Sequence, residues 1–131
     1  MNEKILIVED NPSNMRLIEL ILRDKGYTLL KATDGEEALD VALRGQPDLI
    51  IMDIQLPKLN GLEATRRLRQ APVFSRIPII AVTAYAMKGD KEKITNAGCD
   101  AYLSKPINTH ELPLVIAEML RQRQKDNSEH T

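Results

Sequence analysis

Four runs of aliphatic residues, each stopping at a polar one, constrain this chain more than any other feature. Ile5-Leu6-Ile7-Val8 stops at Glu9-Asp10, and Leu49-Ile50-Ile51-Met52 stops at Asp53. Pro78-Ile79-Ile80-Ala81-Val82 ends on Thr83, and Ala101-Tyr102-Leu103 on Ser104-Lys105. Aliphatic residues at both odd and even positions mean burial on both faces, which is the condition of a strand in a parallel sheet. Tyr27-Thr28-Leu29-Leu30 is shorter and more polar, and is expected nearer an edge.

Helical patterns separate the strands. Asn11-Pro12 opens the first, with Asn11 as N-cap and Pro12 preset for the first turn. Met15, Ile18 and Leu22 form its stripe, joined by Leu17 and Ile21, and Gly26 ends it. Asp34-Gly35-Glu36-Glu37 has capping-box spacing. Ala38, Leu39, Val41, Ala42 and Leu43 are expected to face inward, with Gly45 and Pro47 closing that helix. After Asn60-Gly61 a third helix carries Leu62, Ala64, Thr65 and Leu68, with Arg66, Arg67 and Arg69 turned to solvent. Met87 to Ala97 reads as a weakly anchored helix ended by Gly98. The last helix holds Leu112, Val115, Ile116, Met119 and Leu120, and Pro113 requires it either to start late or to distort its first turn. Arg121 to Thr131 contains no apolar residue and is expected to fray.

Strands alternating with helices specify a doubly wound α/β fold with right-handed crossovers. At this length the expectation is a flavodoxin-like (βα)5 unit with a five-stranded parallel sheet in the order 2-1-3-4-5. One domain over residues 1–121 and a polar tail over 122–131 account for all 131 residues. A net charge of −1 argues against phosphate-driven nucleic-acid binding. A single cysteine, Cys99, cannot form an internal disulfide and reads as a small buried hydrophobe. With no apolar run of membrane-spanning length, and no signal peptide before the first strand, a cytoplasmic protein is expected.

In such a fold the ligand crevice lies beyond the carboxyl ends of the strands. Four strand ends bring Glu9, Asp10, Asp53, Thr83 and Lys105 to it. Crowded carboxylates raise one another's pKa, and a hard divalent cation such as Mg2+ relieves the repulsion. A carboxylate can also attack phosphorus, while a lysine and a hydroxyl bind the phosphoryl oxygens. Taken singly, Asp53 could cap a turn and Lys105 could be an ordinary ion-pair partner. Complementary groups on four strand ends make chance a poor explanation.

The chain resembles the receiver domains of two-component response regulators from Lys4 to about Leu120. The resemblance rests on Ile7-Val8-Glu9-Asp10-Asn11, on Leu49 to Pro57 around Asp53, and on Asn60-Gly61, Val82-Thr83-Ala84 and Ser104-Lys105-Pro106. Ala86 to Asp90 is similar to the DivK-like single-domain receivers and to receivers attached to hybrid kinases. The resemblance implies Asp53 as phosphoacceptor, with Asp10 and Asp53 as direct Mg2+ ligands. It further implies Glu9 acting through a metal-bound water and the backbone carbonyl of Gln55 as a further ligand. Lys105 and Thr83 would contact the phosphoryl group, Tyr102 would be the aromatic switch, and Lys105-Pro106 would be cis.

By the same resemblance the donor is a histidine kinase or a histidine phosphotransfer protein, docking on Asn11, Pro12, Ser13, Asn14, Met15, Pro106 and Ile107. Output would be a downstream protein contact on the face of the fourth helix, fifth strand and fifth helix, without direct DNA or membrane binding, since no output domain is expected after the last helix. The alternative role is a phosphorelay intermediate or phosphate sink. The expected state is a monomer or a weak, phosphorylation-dependent dimer, which catalyses only its own phosphorylation and dephosphorylation. Gln55 and Tyr85 flank the site and are expected to govern phosphoryl lifetime, with Tyr85 shielding the phosphorus. A metal-dependent phosphatase would need a second acid two residues after the nucleophile, where Gln55 stands. A flavin or nucleotide binder would need a Gly-rich loop in place of Glu9-Asp10-Asn11-Pro12.

Overall fold

The computed structural model describes residues 2–56, 59–84 and 88–129, with side chains at 88–90 and 124–129 left undescribed. The strands are β1 (Lys4–Val8), β2 (Thr28–Ala32), β3 (Leu49–Asp53), β4 (Ile79–Thr83) and β5 (Ala101–Ser104). They alternate with α1 (Pro12–Leu22), α2 (Gly35–Gly45), α3 (Gly61–Gln70), α4 (Lys88–Ala97) and α5 (Glu111–Glu129). All strand pairs are parallel and the sheet order is β2-β1-β3-β4-β5. The expected fold class and strand order are therefore found, with β2 at an edge.

The pleat sorts the aliphatic runs into two cores. Ile5, Ile7, Leu49, Ile51, Ile80, Val82 and Leu103 pack with Met15, Ile18 and Leu22 of α1 and with Leu112, Ile116 and Leu120 of α5. Leu6, Val8, Ile50, Met52, Ile79 and Ala81 point the other way, against Ala38 and Ala42 of α2, Ala64 and Leu68 of α3 and Ile94 of α4. This is period-two alternation with both faces covered. Phe74, on a single 3-10 turn at Pro72–Phe74, is only 1% exposed and fills the second core. Nothing in the sequence pattern singles it out. Cys99 is buried in the same core, as expected.

Local signals behave as their chemistry dictates. The side-chain oxygens of Asn11, Asp34 and Asn60 accept from Asn14 N, Glu37 N and Glu63 N, capping α1, α2 and α3. Glu37 reaches back to Thr33 N at 3.3 Å, completing the capping box one residue early. α1 stops at Leu22, and Gly26 (φ +84°) turns the chain three residues after the Arg23 cap. α5 is regular from Glu111, but Asn108 caps the turn before it: its Oδ1 accepts from His110 N and Glu111 N and its carbonyl from Leu112 N, so Pro113, with no N–H for the Thr109 carbonyl, interrupts the first turn.

Three expectations need correction. Leu43 is 59% exposed, because Ala42 already takes the sheet-facing direction and the next residue is rotated about 100° away. Arg69 does not face solvent: its guanidinium bonds the carbonyls of Phe74, Ile77 and Gly98 and the carboxylate of Asp100. The segment from Arg121 does not fray; it is helical as far as Glu129. Arg123 in that segment donates to Asp48 Oδ1 at 2.7 Å and to the Asp48 carbonyl at 3.2 Å, tying the helix to the approach to β3.

Candidate functional site

Pleat and register decide which side chains meet at the crevice. Glu9 N bonds the Ala32 carbonyl, Ile54 N that of Val82, and Lys105 N that of Thr83, so the ladders run on past the strand ends. Glu9 continues the series Ile5 and Ile7, Asp53 continues Leu49 and Ile51, and Lys105 follows Leu103, all on the α1/α5 face. These three reach the crevice on one side. Thr83, paired with Ser104, lies on the opposite face of the sheet, as does Tyr102.

The loop after β3 is held by close backbone contact. Gly61 N bonds the Ile54 carbonyl at 3.0 Å. A Cβ at Gly61 would fall 2.1 Å from the Asp53 carbonyl oxygen, and one at Gly35 would fall 2.0 Å from the Leu59 carbonyl oxygen. Only glycine allows α2 and the α3 start to close on this loop from both sides.

Asp53 and Glu9 are each 2% exposed, whereas Asp10 stands exposed at the mouth. Asp53 Oδ1 accepts from Gln55 N at 3.0 Å, and Glu9 Oε2 accepts from Asn11 N at 3.1 Å. Lys105 Nζ straddles the pair, 3.0 Å from Asp53 Oδ2 and 3.2 Å from Glu9 Oε1. Glu9, Asp10 and Asp53 each offer a carboxylate oxygen within 4.8 Å of the others. Burial, a hydrogen bond with Asp53 and the Asp53 charge push the Glu9 carboxyl up to about 7, against the opposing pull of Asn11 N–H and Lys105. Burial alone would lower the Lys105 ammonium, but Asp53 and Glu9 outweigh it and hold its pKa above the usual lysine value.

The donor set fits a hard divalent cation: oxygens only, more acid than Lys105 can neutralise, and one member open to water. A carboxyl that keeps its proton up to about 7 is also one that a cation can deprotonate.

A family model of the response regulator receiver domain matches residues 5–117. The chain belongs to this family. The receiver is 50% identical over 108 residues to the polar-differentiation response regulator DivK of Brucella ovis, covering 82% of this chain and 88% of that protein. Among solved structures, it is 42% identical to the receiver domain of a sensor histidine kinase from Pseudomonas aeruginosa PAO1, described with a magnesium ion coordinated in its active-site cleft. That match has a TM-score of 0.85 and covers 92% of this chain and 98% of the other. A CheY-like receiver protein from Methanospirillum hungatei JF-1 gives 30% identity and a TM-score of 0.89, covering 96% and 99%. The receiver is thus a two-component signalling protein, and none of its described helices is long and apolar enough to cross a membrane.

Placement of the other expected residues is uneven. Lys105-Pro106 is cis. Thr83 is buried at 3% exposure, and Tyr102 is 36% exposed at the edge strand. Asn11, Pro12, Ser13 and Pro106 are exposed and Asn14 is half-buried, forming a rim beside the crevice. Met15 and Ile107 lie deeper than that rim. Each is 8% exposed and packed in the α1/α5 core, where Met15 completes the stripe of Ile18 and Leu22. Pro57 and Tyr85 lie outside the described residues. Lys91, whose Nζ sits 5.8 Å from the centre of the Tyr102 ring, was not anticipated, since nothing distinguishes it in sequence from Lys88 or Lys93.

Proposed function

We propose that this receiver takes a phosphoryl group on Asp53 from the phosphohistidine of a histidine kinase or histidine phosphotransfer protein. The observation that carries the reading is the hold on Asp53: a buried nucleophile with one oxygen on Gln55 N–H and the other on Lys105, beside two further acids. One Asp53 oxygen forms the new bond to phosphorus, the P–N bond to the imidazole breaks, and the histidine leaves with the electron pair and takes up a proton. Lys105 turns from the Asp53 oxygen to the phosphoryl oxygens. Glu9, Asp10 and Asp53, with the carbonyl of Gln55, would hold Mg2+, which when bound supplies positive charge against the phosphoryl oxygens.

The donor approaches over the rim of Asn11, Pro12, Asn14 and Pro106. The adduct adds about −1.5 to −2 charges to the crevice. Thr83 moves toward it, Tyr102 turns into the space vacated, and the α4–β5–α5 face changes for a protein partner. A coupling of about 1–3 kcal/mol is enough to gate that contact. The functional unit spans residues 1–121 and acts in the cytoplasm.

Two measurements bear on this reading. Acetyl phosphate with Mg2+ should add one phosphoryl group by intact mass, and Asp53→Asn should remove the adduct; an equal yield in the variant defeats the assignment. For the metal, Asp10→Asn should weaken Mg2+ binding about tenfold or more by removing a direct ligand, with a smaller loss for Glu9→Gln, which acts through water. Because Glu9 gives up its proton near 7, wild-type Mg2+ affinity should rise from pH 6 to pH 8. Titrations showing equal and negligible effects of both substitutions would put the cation elsewhere.

A further inference from the structure

The turn between β2 and α2 bears on the site from outside. β1 and β2 pair in register as far as Val8 opposite Ala32, and Glu9 N carries the ladder one step further by donating to the Ala32 carbonyl at 3.0 Å. Three residues after Ala32, Gly35 opens α2 and is buried. A Cβ there would meet the Leu59 carbonyl oxygen at 2.0 Å and Leu59 Cβ at 2.7 Å, so the helix start lies directly on the backbone of Leu59. Leu59 stands near the far end of the loop after β3, which the bond from Gly61 N to the Ile54 carbonyl closes. With Ile54 and Leu56 it also packs against the core beneath α2 and α3, so it is not free to tip outward. The turn itself is stiff. Asp34 accepts from Glu37 N at 2.8 Å through its side chain and from Ala38 N at 3.0 Å through its carbonyl, while the Glu37 carboxylate returns to Thr33 N.

One short turn therefore touches both halves of the acidic cluster. Through Ala32 it holds the backbone of Glu9, and through Gly35 it holds the loop that carries Gln55 away from Asp53. We propose that the turn at residues 32–35 sets the spacing between the Glu9 and Asp10 end of β1 and the segment of Asp53 and Gln55, with Gly35 as a positioning residue for the cation. Such a site is sensitive to this spacing, because Mg2+ demands near-octahedral geometry and the groups that hold its ligands contribute to affinity without touching the ion. A side chain at position 35 must push the Leu59 carbonyl away by about 1 Å, and a short closed loop passes that movement on to Gln55. The inference rests on the cation site proposed above and adds to it residues that lie outside the ligand set.

Mg2+ titration of the full chain, followed by the NMR shifts of the Glu9 and Gln55 amides, tests the support. Gly35→Ala should weaken Mg2+ affinity about fivefold or more. Asp34→Ala removes the cap and loosens the turn without adding a clash, and should weaken affinity about threefold. Asp34→Asn loses the same charge but keeps a capping oxygen, so it should recover most of that loss. Ala42→Gly destabilises the same helix about two turns away and should leave affinity within about 1.5-fold of wild type. A merely structural role for Gly35 would make Gly35→Ala and Ala42→Gly behave alike. Wild-type affinity in Gly35→Ala, or equal losses in those two variants, overturns the inference. If Gly35→Ala does not fold, the Asp34 variants decide, and equal affinities for Asp34→Ala and Asp34→Asn overturn it. A wild-type protein whose Glu9 and Gln55 amides do not shift with Mg2+ would instead overturn the cation site, and the inference with it.

Discussion

Gly61→Ala should cost at least about 3 kcal/mol and lower the unfolding midpoint by about 10 °C or more. The new methyl would sit 2.1 Å from the Asp53 carbonyl oxygen and 2.8 Å from Ile54 Cα, and both of these are backbone atoms. Neither can retreat easily, because Ile54 N is bonded to the Val82 carbonyl and Gly61 N to that of Ile54. The strain falls on the residue that the site is built around, so a folded fraction should also bind Mg2+ poorly. Thermal unfolding by circular dichroism gives the answer directly. A midpoint within about 2 °C of wild type would show that the loop relaxes, and the close packing of α3 on β3 would lose its importance.

Lys105→Met should have the second largest effect, and its size should depend on pH. The substitution removes the cation that touches both Asp53 and Glu9 and leaves two buried carboxylates facing each other. Breaking a fully buried pair costs about 3–5 kcal/mol. Here Lys105 is 19% exposed and the acids can take up protons, so about 1–2 kcal/mol is expected at pH 8. The sign follows from linkage. Glu9 is already raised to about 7, and without Lys105 it is raised further, so the folded form binds protons more tightly than the unfolded chain. A raised acid adds stability below its unfolded pKa, and that stability is lost as pH rises through the folded value. The gap between wild type and variant should therefore narrow toward pH 5 and widen toward pH 8. Urea unfolding at both values checks it, and a gap that widens toward acid pH would contradict the pairing.

Legibility in the sequence followed how local the cause was. The strands and their order could be read because aliphatic runs covered on both faces, spaced by helical patterns, admit few topologies. The acids and Lys105 could be read because the pleat continues past the strand ends and places Glu9, Asp53 and Lys105 on one face. Arg69 could not be read: its partners at Phe74, Ile77, Gly98 and Asp100 are carbonyls and a carboxylate brought in by the tertiary fold. The burial of Met15 and Ile107 was legible only in part: the apolar stripe of α1 marks Met15 as core, whereas nothing local to Ile107 shows that it packs against α1 and α5. The last helix runs on past its apolar stripe, and Arg123 there meets Asp48 across the chain, a partner that charge pattern alone does not show. Gly61 was legible as a turn residue, but the close approach of the Asp53 carbonyl was not.

The central claim is a covalent one, that Asp53 becomes an acyl phosphate. Phosphoramidate has a P–N bond like that of the phosphohistidine donor, and borohydride reduces an acyl phosphate to an alcohol. Protein labelled with phosphoramidate and Mg2+, reduced and then sequenced by tandem mass spectrometry, should carry homoserine at position 53 and unmodified aspartate at position 10. Reduction at Asp10 instead, or a stable phosphoryl group on a hydroxyl side chain with Asp53 intact, would contradict the account.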